Sequence, residues 1–320
     1  MNSAAQHPKT TKGHNVKLIE RPKKIFFAYT MDCERIVTET YLKNGTPSWE
    51  MSEKAIRGMA DVLRKKNAVK AGGFYPTPAT AEKHKRVFLD LKAEGFDIGC
   101  QFHCDSFRNG EYKKFLGQYE YEDQREILTL AKQDWEQALG LPLETFRCGF
   151  LSANDCTFPI LNDLGIRQSS SSLPGRHQPS IAAYWAGAYA YPHHASRKCR
   201  LVCGDLDLYE VPITYHPYKW MDEAHTAACD LRPDRGAPIE FYREMLGAYT
   251  EQMLRSDPPI KAIIAITHNT IDYLDAENPK RRIMESQIVY VKELAAKNGY
   301  EFVPASLEDI HREADRIGSY

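Results

Sequence analysis

The chain has 320 residues, 27% of them charged, with 42 Lys and Arg against 43 Asp and Glu and a formal net charge of −1. That balance excludes a nucleic-acid footprint built on basic excess, and no like-charge run suggests an interaction tail. Residues 1–23 are polar and lack an apolar core, so they read as a disordered lead-in to a single catalytic domain at 24–320 and not as a signal peptide or membrane span. Eight cysteines without a CxxC pair or a signal peptide point to reduced thiols and a cytoplasmic location.

In chain order, the β-rich run at 25–31 predicts a strand that stops on Asp32-Cys33-Glu34. Ala55, Met59, Val62 and Leu63 recur on one stripe and predict a helix at 52–66. Residues 68–75 read as a short strand. The next helix runs to about 94, with Thr77 or Thr80 as its cap and Gly95 at C′. A strand at 97–103 runs into Cys104-Asp105-Ser106, and a polar, aromatic loop follows at 107–121. A helix at 122–139, closed by Gly140 and Pro142, leads to a short strand at 145–147. Then come a helix at 155–164, a short strand at 166–169, a loop-like stretch at 170–200 and a strand at 208–213. The remaining expectations are helices at 240–255, 279–298 and 306–316, and strands at 261–267 and 301–303. Strand–helix–strand repeated about seven times marks a parallel α/β sheet or barrel.

In such folds the site lies where the C-terminal ends of parallel strands converge. Three predicted strand ends carry groups that bind metals or move protons: Asp32-Cys33-Glu34, the stretch 97–106, and Thr267-His268-Asn269. Alternation along a strand turns Asp32 and Glu34 to one side and Cys33 to the other. If 101–105 stays extended, Gln101, His103 and Asp105 share a face; if it turns helical, Gln101 and Asp105 meet and His103 swings aside. His and Asp are good zinc or manganese ligands, whereas Gln is a poor one. Arg147 can pair with a carboxylate and fix its orientation. His268, with a pKa near neutral, is the natural general acid. His193-His194 reads as surface decoration in a loop, with the lining of a cleft as its other reading. Cys33, Cys100, Cys104 and Cys148 all fall beside strand ends, where a buried thiol is more often a small hydrophobe than a functional group.

Thr30-Met31-Asp32, Asp97-Ile98-Gly99, the run Phe146-Arg147-Cys148-Gly149-Phe150-Leu151-Ser152-Ala153-Asn154-Asp155 and the late Thr267-His268 resemble, over about 24–305, the NodB-type polysaccharide deacetylases. The resemblance implies a distorted (β/α)7 barrel and hydrolysis of acetyl groups by a metal-bound water. By the same match Asp32 is the catalytic base, Arg147 the residue that holds it, and His268 the catalytic acid. Gln101 and Asp105 fall where that family has the two histidines of its His-x-x-x-His metal pair, with His103 between them.

The expected function is hydrolysis of a C–N bond in a small N-acylated sugar or related metabolite. A zinc or manganese ion would be held by Glu34, His103 and Asp105, and Gln101, Phe150 and Asn154 would contact the substrate. The alternatives are a metal-free hydrolase of ring amides, as in an allantoinase-like subgroup of the fold, and a barrel that binds carbohydrate without turnover. The expected partner is a small molecule or saccharide, with no nucleic acid or membrane; the number of copies in the assembly is left open.

Overall fold

The computed structural model describes residues 21–40 and 45–318, so most of the expected lead-in lies outside the described residues. β1 (Lys24–Cys33) is followed by α1 (Trp49–Lys65), β2 (Gly72–Pro76), α2 (Pro78–Lys83), α3 (Lys85–Ala93), β3 (Asp97–Ile98) and β4 (Cys100–Phe102). Next come α4 (Tyr121–Leu139), β5 (Thr145–Cys148), α5 (Thr157–Asp163), β6 (Gln168–Ser169), β7 (His177–Gln178), β8 (Ala183–Tyr184), β9 (His193–His194) and β10 (Tyr209–Glu210). A hairpin of β11 (Tyr215–Trp220) and β12 (Ala228–Asp230) precedes α6 (Ile239–Ser256), β13 (Ala262–His268), α7 (Pro279–Lys297), β14 (Glu301–Pro304) and α8 (Leu307–Ile317). Among the described residues no helix is long and apolar enough to cross a membrane.

The barrel strands run parallel, β13–β1–β2–β3 on one side and β4–β5–β6–β10 on the other. β3 and β4 are halves of one strand that passes between the two sheets at Gly99, whose N–H donates to Phe74 O at 3.1 Å. No side chain fits at this bend, because a Cβ on Gly99 would lie 2.7 Å from Thr145 O. On the far side, β10 and β13 are joined by the chain beyond their ladders. Thr214 N–H donates to Ile264 O (3.1 Å) and Ile266 N–H to Leu231 O (3.0 Å). The ring is a distorted (β/α)7 barrel.

Alternation along β1 sorts its side chains into two cores. Ile25, Phe27, Tyr29, Met31 and Cys33 pack outward with helix residues such as Met59 and Leu63. Phe26 and Ala28 face the barrel interior with Tyr75, Tyr209 and Ile264. Continuing the inner series places Thr30 and then Asp32 at the C-terminal mouth. The opposite end of the barrel is plugged by α8, whose Leu307, Ile310 and Ala314 join the inner cluster. A capping box starts that helix: Ser306 Oγ accepts from Asp309 N–H (3.0 Å) and Ser306 N–H donates to Asp309 Oδ2 (3.2 Å).

Two local expectations are corrected and one element is added. The helix expected up to residue 94 breaks at His84 (φ −110°, ψ 27°) into α2 and α3, with the His84 ring packed edge-on against Trp49 at 5.6 Å. The β11–β12 hairpin escapes pattern reading because Pro217 speaks against a strand, although an edge strand tolerates it. His193 and His194 are buried in β9, not surface decoration.

Gly58 of α1 lies so close to the loop after β13 that a Cβ would meet Leu274 N and Tyr273 C at 2.4 Å. Gly58→Ala gains ~1 kcal/mol of helix propensity, but overpacking against backbone costs ~1–3 kcal/mol. The expected outcome is a lower urea midpoint; a raised midpoint would contradict the close approach.

Candidate active site

Asp32 ends the inward series of β1, and Arg147 reaches it from β5. Arg147 is 0% exposed and all three of its guanidinium nitrogens donate hydrogen bonds. Nη1 donates to Asp32 Oδ1 (2.7 Å) and Thr30 Oγ1 (2.8 Å). Nε donates to Ser170 O (2.7 Å) and Nη2 to Ser170 Oγ (2.9 Å). The Tyr75 ring lies 5.1 Å from the guanidinium carbon. A charge-assisted pair with this many anchors fixes the Asp32 carboxylate in one orientation.

His268 ends β13 and is the register partner of Asp32 on the adjacent parallel strand, so both side chains leave the sheet together. Its Nδ1 hydrogen-bonds Asp234 Oδ2, and Asp234 Oδ1 accepts from Thr267 Oγ1. Burial would lower the pKa of His268, but the Asp234 carboxylate more than offsets it and the net shift is upward. The dyad therefore fixes the ring and keeps it protonated to higher pH.

The third group is closed on itself. Of the two geometries open to 101–105, the extended one holds through His103 (φ −115°, ψ 119°). Glu34 Oε1 accepts from both Gln101 Nε2 (3.1 Å) and His103 Nε2 (3.0 Å). The opposite ring nitrogen, His103 Nδ1, lies 3.4 Å from Asp105 Oδ1. Burial works against charge on His103, yet Glu34 and Asp105 raise its pKa to about 10. Burial likewise pushes Glu34 up, and His103 reverses the shift to a net lowering. The ring packs edge-on against Phe150 at 4.4 Å. A Cβ on Gly149 would come within 2.6 Å of it. Phe150 (φ 55°) and Leu151 (φ 57°) follow in left-handed backbone, a conformation that non-glycine residues hold only under constraint. Asn269 braces Glu34 from behind, donating to its carbonyl (2.9 Å) and accepting from its N–H (2.9 Å).

This arrangement differs from the geometry expected of a metal site. Glu34 and Asp105 approach opposite nitrogens of one imidazole, so no single point is reached by all three proposed ligand atoms. Glu34 Oε1 is occupied by two N–H donors. As placed, these residues do not fit a divalent ion.

Asp32, Glu34, Gln101, His103, Phe150 and His268 line one cavity of about 190 Å³. Asn154 does not, which corrects its expected role: its side chain donates to Tyr119 O (2.9 Å) and accepts from Cys156 N–H (3.0 Å), clamping two loops. Cys33, Cys100, Cys104 and Cys148 are buried free thiols, and burial pushes the Cys148 pKa up to about 12. Sequence reasoning missed Asp234, and with it Arg176 and Arg232 in the cavity wall. The run Arg232-Pro233-Asp234-Arg235-Gly236 carries turn residues and nothing that marks its carboxylate as a partner for His268.

Arg147→Met would leave the Asp32 carboxylate buried without its partner, at an expected cost of ~3–5 kcal/mol. Denaturant unfolding should also show Asp32→Asn with Arg147→Met costing less than the sum of the single substitutions. Strict additivity would mean that the pair is not the structural unit described.

No family model matches the sequence, and no curated protein sequence does. Solved structures do. A protein assigned as a polysaccharide deacetylase from Mycobacterium smegmatis superposes with a TM-score of 0.58 at 16% identity, over 96% of each chain. One assigned as a glycoside hydrolase/deacetylase from Parabacteroides distasonis gives 0.64 at 10% identity, over 94% of this chain and 73% of that one. The Puue allantoinase gives 0.58 at 11% identity, over 99% of this chain and 100% of that one. The barrel, its strand-end residues and these superpositions together identify the fold as that of the NodB-type polysaccharide deacetylases, carried here by a divergent sequence.

Proposed function

We propose that the chain is a hydrolase of amide C–N bonds, acting on a small N-acylated sugar or a ring amide. The observation that carries this reading is the placement of Asp32 and His268 on one cavity, each held by its own partner, the buried Arg147 and the partly buried Asp234. Asp32 takes a proton from a water as the water oxygen bonds to the carbonyl carbon and the carbonyl electron pair moves onto oxygen. Arg176 and Arg232 in the cavity wall face the negative charge that develops there. The C–N bond then breaks as His268 gives its proton to the leaving nitrogen, releasing a carboxylic acid and an amine.

Kinship of fold with deacetylases suggests a divalent ion, zinc or manganese, which would polarise the carbonyl and acidify the attacking water. Glu34, His103 and Asp105 do not fit such an ion as they stand, so the steps above use side chains alone. In this reading Glu34, His103 and Asp105 form a buried wall of alternating charge, and Gln101 and Phe150 shape the floor on which the acyl group rests.

The test is turnover of a panel of N-acetylated amino sugars and ring amides by wild type and two variants. Asp32→Asn should lower kcat/KM by about 10²–10⁴-fold, the usual contribution of a positioned base. Turnover of neither class by the wild type, or an undiminished Asp32→Asn, would overturn the reading and favour a barrel that only binds.

Asp234→Asn removes the carboxylate that raises the His268 pKa. Because the acid is lost as pH rises through that pKa, the alkaline limb of the kcat/KM profile should move to lower pH. An unmoved limb would mean that His268 is not the titrating acid.

A further inference from the structure

A second group of metal-ligating side chains lies at the other end of the barrel, against the helix that plugs it. His311 and Asp315 sit one turn apart on α8, and His194 faces them from β9. Their ligand atoms all lie within 4.8 Å of one another, the one such group of His, Cys, Asp and Glu among the described residues. We propose that His194, His311 and Asp315 bind a zinc-type transition-metal ion that fastens α8 to the sheet.

The spacing supports an ion more than a hydrogen bond. Asp315 Oδ1 lies 3.7 Å from His194 Nε2 and 3.6 Å from His311 Nε2, beyond hydrogen-bond reach. Ligand atoms around a tetrahedral zinc at ~2.0–2.1 Å stand about 3.3–3.5 Å apart, so both Asp315–imidazole spacings lie within a few tenths of an ångström of a bound geometry, and the two imidazole nitrogens, within 4.8 Å of each other, would have to close on the ion. His311 Nε2 is buried and has no hydrogen-bond partner among the described residues. Leaving it so is costly for a group turned toward two other ligands.

The surroundings also prepare the two rings. His194 Nδ1 lies 2.8 Å from Leu206 O, and since a carbonyl only accepts, this nitrogen carries the proton and Nε2 carries the lone pair. His311 stacks on Tyr209 at 4.8 Å with an interplanar angle of 5°. Its Nδ1 lies 3.1 Å from Gln168 Nε2, and the Gln168 oxygen lies 3.4 Å from Thr145 Oγ1. Turning the Gln168 amide over preserves both contacts: its oxygen accepts from His311 Nδ1–H, and its NH2 donates to the Thr145 hydroxyl. The lone pair of His311 then sits on Nε2, aimed at the site.

Two imidazoles and one carboxylate suit zinc, cobalt or nickel and not calcium or magnesium. The Asp315 side chain is 45% exposed, so water can complete the coordination. The ion would link α8 to the antiparallel pair in which His194 is the register partner of Tyr209.

The test is titration of the metal-stripped full chain with Co²⁺, whose d–d absorption reports tetrahedral nitrogen and oxygen ligation. The expected result is a band saturating near one equivalent, lost in His311→Gln and in Asp315→Asn, and kept in Glu34→Gln. Asp315→Asn changes a half-exposed surface residue, so its loss of the band would not be a failure to fold. No saturable band, a band surviving both α8 variants, a band abolished by Glu34→Gln, or a spectrum dominated by thiolate charge transfer would each overturn the proposal.

Discussion

The site depends on one buried ion pair. Arg147 has no contact with water, and its charge is tolerable only because Asp32, Thr30 and Ser170 take up its donors. A guanidinium stripped of water is stable in few environments, and removing its carboxylate leaves a charge that the interior cannot solvate. This constraint ties the end of β1 to the end of β5 across the barrel mouth. Asp32 is thereby held still, and the arrangement of the other groups at the barrel mouth follows from the barrel register.

Register then fixes the second pole. Because Asp32 and His268 are neighbours on parallel strands, any stable barrel built from β1 and β13 brings them together. Asp234 completes the arrangement from the segment after β12, joining Thr267 and His268 in one network. The two poles differ in partner sign: a cation holds the carboxylate, and a carboxylate holds the imidazole. Between them, His103 lies between Glu34 and Asp105, whose carboxylates raise its pKa to about 10.

Much of this was legible in the sequence because it follows from periodicity. The strand at 25–31, the helix ending at Gly140 and the final helix expected at 306–316 follow from alternation, glycine chemistry and helical periodicity. Asp32, Arg147 and His268 were visible as polar residues closing apolar strands. What was hidden depends on contacts remote in sequence. Asp234 sits in a turn-like run, Asn154 looks like a strand-end ligand but serves a loop clamp, and the direction of the His103 ring is decided by Gly149 and Phe150. The His194–His311 approach joins residues more than a hundred positions apart, and no local pattern announces it.

The most direct test of the account is the turnover of a substrate from the N-acetyl or ring-amide panel by protein stripped of metal with a strong chelator and then dialysed. Full activity in the stripped protein, unchanged on adding zinc or manganese, is the result the proposed function predicts, because in it Asp32 and His268 would supply base and acid without an ion. Activity lost on stripping and restored by either ion would contradict it, and would mean that Glu34, His103 and Asp105 rearrange into a metal site during catalysis.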